Sequence, residues 1–301
     1  MKAIFIIELL LLAAIWGASF IFMRIASPEF GPVLLMALRT LIASLFLLPQ
    51  VFIAKKQTAF NGYKGKIFTV GMLNTAIPFV LFGYATLTLS GGLTSVLNST
   101  VPMFGAIVAY IWFRDKLTIT ASIGLLIGFG GVYLLMFDKI TPNQQGIILP
   151  TLAALLASLC YGISANYTKK YLTGISSTVL AAGSQVSATL VLLPISLFFI
   201  PAQMPSNSAF VSVILLGLVC TGVAYIIFFH LIANLGPAKA ISVTYLIPAF
   251  GLFWGAILLE EVITSNMLIG CGFILAGVAL ATGLLRFPKI KAGRSNANTD
   301  F

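Results

Sequence analysis

The chain has 301 residues, of which 59% are hydrophobic and only 8% are charged. Soluble proteins carry about 25% charged residues, so a water-soluble globular fold is excluded for a chain of this length. The formal net charge of +10 does not indicate nucleic-acid binding, because the Lys and Arg residues lie in short clusters between long apolar runs. That arrangement is typical of multi-pass membrane proteins.

Ten apolar runs follow one another along the chain, and each is long enough to supply the ~20 residues that cross a bilayer as an α-helix. The first run is longer than the apolar part of a signal peptide, roughly 7–15 residues, and it lacks a small-residue cleavage site. We therefore assign it to a spanning helix. The predicted spans, numbered 1 to 10 in chain order, are 4–24, 32–54, 66–86, 91–113, 119–137, 147–168, 177–200, 209–232, 238–259 and 265–286.

The distribution of Lys and Arg predicts the orientation of the spans. With the amino terminus inside, 14 of the 17 Lys and Arg residues lie on the inner side, two lie outside, and Arg39 lies within span 2. Cytoplasmic loops of membrane proteins carry such an excess. The sequence therefore predicts a multi-pass protein with both termini in the cytoplasm, and residues 287–301 are predicted to form a disordered cytoplasmic tail.

The second half of the chain repeats the first at an offset of 145 to 146 residues, so that WGAS at 16–19 corresponds to YGIS at 161–164. Other equivalent pairs are Leu47 with Leu192, Gly71 with Gly217, Thr75 with Thr221, Phe82 with Phe228, Pro102 with Pro248, Asp115 with Glu261, and Gly131 with Gly277. Each half contains an odd number of spans, so the second half must cross the membrane in the opposite sense, as in transporter folds whose substrate site lies between the halves. The predicted fold is an all-α membrane protein with ten transmembrane helices, arranged as two inverted five-helix repeats, residues 4–137 and 147–286, around a central cavity.

The stretches WGASFIFMR in span 1, LRTLIASLFLLP in span 2 and SVLNSTVPMFGAIVAYIWFRDKLT from span 4 onward resemble the EamA family of the drug/metabolite transporter (DMT) superfamily. The stretch AISVTYLIPAFGLFWGAILLEEVIT in the second half does so as well. The resemblance implies a ten-helix permease of the bacterial inner membrane that exports amino acids or related metabolites by alternating access. Small multidrug exporters of the same superfamily carry a carboxylate where this chain has Ala14, so proton-coupled export of cationic drugs by that route is not expected.

Three prolines predict helix breaks at mid-depth. Pro78, Pro102 and Pro248 each lack an N–H and free the carbonyl four residues earlier. In lipid such carbonyls need a partner, so these breaks are expected to face other helices or a wet cavity. Spans 3, 4 and 9 are therefore predicted to line a cavity, with Asn74 and Asn98 as ligand contacts. The alternative is that the prolines only shape kinks and the Asn side chains bond neighbouring helices.

Aromatic and hydroxyl side chains recur at equivalent positions of the two halves. Trp16 and Ser19 lie one turn apart in span 1, and Tyr161 and Ser164 repeat them in span 6. Facing aromatic walls with a hydroxyl suit an apolar or zwitterionic small molecule. The alternative is that the aromatic rings only fill the helix packing. The other predicted residues of the substrate pathway are Phe79, Gln185, Thr221, Tyr225, Tyr245 and Trp254.

Arg39 is the one Lys or Arg deep within a predicted span. A charge at that depth costs at least ~2.5–3.5 kcal/mol on insertion scales and marks a functional candidate. It could hold a substrate carboxylate, but Arg at this place resembles a general feature of the family, so a structural or gating role is favoured. Glu8 and His230 lie near cytoplasmic span ends, and no acid occupies the middle of a span. Proton coupling through a buried carboxylate is therefore not supported, and facilitated exit stays open.

Glycine spacing predicts the scaffold. Gly124 and Gly128 in span 5, and Gly251 and Gly255 in span 9, follow the GxxxG pattern that lets helices approach closely. Spans 5 and 10 carry few polar groups at mid-depth, so we expect them at the periphery, where they brace the other helices. A monomer is sufficient because one chain supplies both halves, and a homodimer is also compatible with the sequence.

Other functions fit the residues less well. A membrane enzyme acting on a lipid-linked substrate needs converging acidic or His side chains, and the chain's seven acids and one His form no such pattern. A carrier of a nucleotide-type metabolite needs several basic groups in its cavity, whereas an importer of a cofactor-like metabolite would fit the same fold. Cys160, Cys220 and Cys271 lie apart from one another and form no zinc pattern. The sequence predicts a transporter and not an enzyme, without cofactor or metal, whose partners are a small-molecule substrate and membrane lipids, and not nucleic acid.

Overall fold

The computed structural model describes residues 3–114, 117–137 and 146–285, and the predicted tail 287–301 lies outside these ranges. The described residues form ten apolar helices and no β-strand, which confirms the predicted all-α class. Nine of these helices are long and apolar enough to cross a membrane, and the tenth is a shorter apolar helix of 17 residues. In chain order they are α1 Ala3–Phe30, α2 Pro32–Ile53, α3 Lys64–Ala85, α4 Gly91–Phe113, α5 Ile119–Phe137, α6 Ile148–Tyr171, α7 Ser177–Phe199, α8 Asn207–Leu235, α9 Lys239–Leu259 and α10 Ser265–Ala281.

The observed bounds lie within a few residues of the predicted spans, except that α10 ends at Ala281 instead of residue 286 and that α1 ends later than predicted. This helix was predicted to end at residue 24, but it continues to Phe30. Its last turn is packed, because Ser27 Oγ lies 3.3 Å from Thr86 Oγ1 and the Phe30 ring meets Phe210 edge-on at 5.2 Å between centroids. Contacts with α3 and α8 therefore extend the helix by more than one turn.

Equivalent glycines bring equivalent helices together in the two halves. At Gly17, a Cβ atom would come within 2.7 Å of Phe250 Cβ, so α1 crosses α9 at a distance that only glycine permits. At Gly162, a Cβ atom would come within 3.1 Å of Phe104 Cβ, so α6 crosses α4 in the same way. The repeat in the sequence is thus matched by a repeat in the packing.

The axis that relates the halves passes between α2 and α7. The hydroxyl oxygens of Ser44 and Thr189 lie 3.2 Å apart, and the two residues are 145 positions apart in the chain. Each is the repeat equivalent of the other, and equivalent residues meet in this way where a pseudo-twofold axis passes.

The two halves run in opposite directions. α1 begins at the face where Glu8 Oε2 lies 2.9 Å from His230 Nδ1, near the end of α8. α6, the equivalent of α1, ends at that same face, because Lys66 Nζ near the start of α3 lies 5.8 Å from the ring of Tyr171. The predicted inverted arrangement is therefore confirmed. The face where α1 begins is called the amino-terminal face below, and the opposite one the distal face.

Helices α5 and α10 pack backbone against backbone at one side of the bundle. A Cβ atom on Gly277 would lie 2.5 Å from the carbonyl oxygen of Gly124, and one on Gly131 would lie 2.8 Å from that of Gly270. The outward side of α5 is exposed, with Leu126 76% accessible. This pair braces the bundle at its periphery, as the scarcity of polar groups in spans 5 and 10 predicts, and the glycines of span 5 permit the close approach.

Candidate functional site

Helix α4 is interrupted near its middle. It is α-helical over Gly91–Asn98 and again over Val101–Phe113, with Ser99 and Thr100 between the two parts, just before Pro102. Both hydroxyls donate to carbonyls three residues earlier, at 2.6 and 2.7 Å. The interruption therefore keeps these carbonyls satisfied within the bundle, as the bilayer requires.

Helix α9 has the equivalent interruption. A 3₁₀ turn at Ser242–Tyr245 precedes Pro248, and the α-helix resumes over Ile247–Leu259. Ser242 Oγ and Thr244 Oγ1 donate to carbonyls three residues earlier, at 2.6 and 2.9 Å. The predicted breaks at the two equivalent prolines are thus present, and hydroxyl side chains support both.

Helices α3 and α8 contain equivalent π-helical segments, at Met72–Ala76 and Leu215–Val223. Such segments occur frequently at functional sites. In α8 the Thr221 hydroxyl donates to the Leu216 carbonyl, five residues earlier, at 2.8 Å. In α3 the π-helical segment ends just before Pro78. The helix is therefore not broken at this proline, and the backbone hydrogen bonds before it shift by one residue instead.

A cavity of about 560 Å³ lies between these broken helices and is lined by residues of α1–α4 and α6–α9. Ten of the thirteen residues predicted for the substrate pathway line it. They are Trp16, Ser19, Arg39, Asn74, Phe79, Asn98, Tyr161, Ser164, Thr221 and Tyr225. Residues that were predicted from their depth in the membrane, from the helix breaks and from the repeat thus line the same cavity.

The walls of the cavity are mainly apolar and include several aromatic rings. The Phe82 and Tyr161 rings stack with their centroids 5.9 Å apart, and Trp16 packs against Phe228 at 5.3 Å. Phe82 and Phe228 were not among the predicted lining residues. Their pairing in the sequence repeat was the signal that could have found them.

The cavity opens toward the amino-terminal face. Its lining continues along the end of α6 and the start of α7, through Thr168, Leu172 and Ser177. Toward the distal face it is closed by Phe20, whose ring meets Phe82 edge-on at 5.5 Å. In this conformation a small molecule can enter or leave the cavity from one side of the bundle.

Arg39 lies in the wall of the cavity and is only 5% exposed. Its Nε donates to Thr221 Oγ1 at 3.0 Å, one terminal nitrogen lies 3.8 Å from the sulfur of Met23, and its guanidinium carbon lies 3.9 Å above the centre of the Phe79 ring. Among the residues that the structure describes, no carboxylate lies within ion-pair distance of Arg39. The guanidinium is thus a buried cation held by a hydroxyl and an aromatic face.

Contacts between side chains and backbone close the distal face. One terminal nitrogen of Arg24 donates to the carbonyls of Thr86 and Leu87 at the end of α3, both at 2.7 Å. The carboxylate of Glu261 accepts the N–H groups of Gly91 and Gly92 at the start of α4, at 2.7 and 2.9 Å. These six residues are called the distal seal below, and they fix the α3–α4 connection against α1 and α9.

Three predicted pathway residues lie outside the cavity. Gln185 is fully buried in α7, about 40° around the helix from Ala181 and about 100° from Ser184, which do line the cavity. The Tyr245 hydroxyl lies 3.1 Å from Thr282 Oγ1 beyond α10, and Trp254 Nε1 donates to the Ala14 carbonyl of α1 at 3.0 Å. In this conformation Tyr245 and Trp254 tie helices together instead of facing the cavity.

The described part of the chain offers no constellation for metal chemistry. No group of three or more His, Cys, Asp or Glu side chains there is close enough to hold a metal ion. Cys160, Cys220 and Cys271 are buried and are not joined in disulfides.

Comparison with known proteins places this architecture in a family. The model of the EamA-like transporter family matches residues 2–137 and 148–283. The uncharacterized transporter YoaV of Bacillus subtilis (strain 168) is 24% identical, with 89% of this chain and 93% of that protein covered. A probable amino-acid metabolite efflux pump of Escherichia coli (strain K12) is also 24% identical, with 94% of this chain and 97% of that protein covered. A solved crystal structure at 16% identity has the same fold, with a TM-score of 0.64 over 95% of this chain and 99% of that chain.

Both halves of the chain are matched separately by the family model, in agreement with the repeat in the sequence and in the packing. The relatives named above are transporters by description, and no enzyme is among them. The chain therefore belongs to the EamA-like transporter family and is a multi-pass membrane transporter, not an enzyme.

Proposed function

We propose that the protein exports amino acids or related small metabolites across the bacterial inner membrane by alternating access. The observation that carries this proposal is the cavity of about 560 Å³, which reaches the middle of the bundle and opens toward one face only. Its volume lies within the range of about 300–1,000 Å³ that small-molecule sites occupy. The similarity to a probable amino-acid metabolite efflux pump supports the choice of cargo.

The charge distribution supports a cytoplasmic position for the amino-terminal face. Arg24 is the one Lys or Arg of the described residues that lies near the distal face. The described Lys and Arg residues near the amino-terminal face are Lys55, Lys56, Lys64, Lys66, Arg114, Lys169, Lys170 and Lys239. Because cytoplasmic segments carry this excess, both termini are cytoplasmic in the proposal and the conformation is open to the cytoplasm.

Export then requires a second conformation in which the distal face opens. The interruptions of α4 and α9 supply two related hinges, one in each half. Opening the distal face must separate Arg24 and Glu261 from the backbone groups of the α3–α4 connection. The functional unit is a monomer, since the cavity and both faces lie within one chain, and the surrounding lipids are its other partner.

Counterflow in liposomes tests the proposal. The purified protein is reconstituted and screened for exchange of labelled amino acids, and any amino acid that is transported is then followed in four variants. Trp16→Ala and Asn98→Ala are expected to lower exchange at least fivefold, because both side chains line the cavity. Tyr133→Ala, on the exposed side of α5, and Asn234→Ala, near the end of α8, serve as controls and are expected to stay near the wild-type rate.

Two results would contradict the proposal. If no amino acid or related metabolite is exchanged by protein that is folded and correctly inserted, the proposed cargo is wrong. If the cavity variants match their controls, the substrate passes elsewhere. Direction is checked in cells, where overexpression is expected to lower the internal concentration of the cargo and to raise the external one.

A further inference from the structure

The charges that face the cavity are strongly asymmetric. The described lining contains one charged side chain, Arg39, and neither Asp nor Glu. The acids of the described chain lie near its two faces, where Glu8 contacts His230 and Glu29 and Glu261 bond backbone N–H groups. In this conformation the cavity therefore presents a fixed positive charge at mid-depth that the described residues do not neutralise.

The contacts of Arg39 leave part of its hydrogen-bonding capacity unused. A guanidinium has five N–H donors in a planar fork. Nε uses one of them on Thr221 Oγ1, and a terminal nitrogen faces the sulfur of Met23, which is a weak acceptor. The flat face of the group covers the Phe79 ring at 3.9 Å. Among the described residues, the donors of the terminal nitrogens have no oxygen acceptor, and such a fork binds a carboxylate through two parallel hydrogen bonds.

The lining has no comparable group for a cation. The polar side chains at similar depth are neutral, and Ser19, Asn74, Asn98 and Ser164 are among them. Such groups can accept a hydrogen bond from an ammonium, but they do not offset its charge. Most of the remaining wall is aliphatic or aromatic and suits an apolar body.

We propose that Arg39 is the carboxylate-binding residue of the cavity, and that the cargo is an apolar or aromatic carboxylate for which an amino group is dispensable. This inference rests on the proposed transport through the cavity, and it narrows the substrate class. Amino acids fall within this class through their carboxylate. Amines of the same shape are excluded because they carry a positive charge toward Arg39.

A matched set of three ligands tests this order of preference on the wild-type protein. Phenylalanine, 3-phenylpropionate and phenethylamine share one ring and differ in their charged groups. Thermal stabilisation of the purified protein in detergent reports binding, and competition in liposome counterflow reports transport. We expect the apparent affinity for 3-phenylpropionate to lie within about threefold of that for phenylalanine. The apparent affinity for phenethylamine should be at least tenfold lower, which corresponds to about 1.4 kcal/mol. Equal or stronger action of the amine would overturn the inference.

Variants of Arg39 separate binding from a merely structural role. Arg39→Lys keeps the charge without the fork, and it should retain a reduced preference for the acid over the amine. Arg39→Gln should abolish that preference. The ratio of acid to amine stabilisation is the readout, because a general loss of stability lowers both values and leaves their ratio unchanged. An unchanged ratio in Arg39→Gln would contradict the assignment.

Further measurements test whether Arg39 binds any anion, and they separate failure of the Arg39 assignment from failure of the proposed export. Chloride and inorganic phosphate are measured alone, and stabilisation by either ion equal to that by 3-phenylpropionate would overturn the carboxylate assignment. Stabilisation by the acid without transport of any amino acid would leave the Arg39 site in place and reject the proposed export. Transport of an amino acid with equal competition by the amine would support the proposed export and reject the Arg39 assignment. If none of the three ligands binds, the inference is wrong as well.

Discussion

Thr221 and Thr75 occupy equivalent positions in the two halves, yet their hydroxyls have different surroundings. Thr221 Oγ1 accepts from Arg39 Nε at 3.0 Å and donates to the Leu216 carbonyl at 2.8 Å. Thr75 Oγ1 is buried and has no partner among the described residues. The asymmetry arises because Ser184 takes the place of Arg39 in the second half. One hydroxyl thus fixes the buried charge, whereas the other is an unsatisfied polar group.

This difference predicts opposite effects of the same isosteric substitution. Thr221→Val removes two hydrogen bonds, one of them to a charged group, and should lower stability by about 2 kcal/mol and reduce transport. Thr75→Val replaces an unpaired hydroxyl by a methyl group and should be neutral or stabilising. Melting temperatures of the two purified variants in one detergent provide the measurement. A larger loss of stability in Thr75→Val than in Thr221→Val would show that the assignment of these hydroxyls is wrong.

For single residues, the sequence predicted the depth of a side chain in the membrane better than the side of the helix on which it lies. Arg39 was found from its depth in span 2, and Trp16 and Tyr161 were found from the repeat; all three line the cavity. Gln185 and Trp254 were also predicted to line the pathway but face other parts of the protein. The side of a helix that meets the cavity depends on how the helix is rotated by its neighbours. In spans that are apolar all around, the sequence carries little information on that rotation.

Among the elements, the breaks of α4 and α9 were predictable and the π-helical segments were not. Proline lacks an N–H, so Pro102 and Pro248 each remove one backbone hydrogen bond and favour an interruption of their helix. A π-helical turn differs from an α-helical one by a shift of one residue in the hydrogen-bond partner, and no residue type requires that shift. The prediction that span 1 ends at residue 24 was also wrong, because it places Arg24 at the membrane surface. Its guanidinium instead binds the last carbonyls of α3.

The packing of α5 against α10 predicts a sharp contrast between two glycines of one helix. A side chain at Gly277 would collide with the backbone of Gly124 and Gly128, whereas Gly272 has no neighbouring atom within 4 Å of a Cβ position. Gly277→Leu should force the helices apart and cost about 3 kcal/mol or more. The expected fall in melting temperature is roughly 6 °C or more. Gly272→Leu should stay close to the wild type, and similar losses in both variants would contradict the close helix crossing.

For the whole molecule, the repeat predicted the inverted halves but not which face is open. Two inverted halves are compatible with a cavity open to either side, since exchange of their conformations turns one state into the other. Tertiary contacts decide between these states in the structure. The distal seal closes one face, and the cavity lining continues to the other. In the proposed transport cycle, the free energy of the seal is expected to contribute to the balance between the two conformations.

Glu261 is the residue of the seal at which this balance can be shifted. Its two carboxylate oxygens accept the N–H groups of Gly91 and Gly92, which are the first donors of α4. A negative charge is also favourable at a helix amino terminus. Glu261→Gln removes the charge and turns an NH₂ group toward one of these donors. We expect it to weaken the closed distal face and to raise the population that is open on that side.

Accessibility of an introduced thiol at Asn98, in the cavity, measures this population. The background removes the native thiols through Cys160→Ala, Cys220→Ala and Cys271→Ala. In this background, Asn98→Cys should react with a membrane-impermeant maleimide mainly from the side of the amino-terminal face. With Glu261→Gln added, reaction from the distal side should rise several-fold. Glu260→Gln is the matched control, because Glu260 is exposed and has no bond to α4 among the described contacts. Equal distal labelling in the two Gln variants would mean that the seal does not hold the distal face closed.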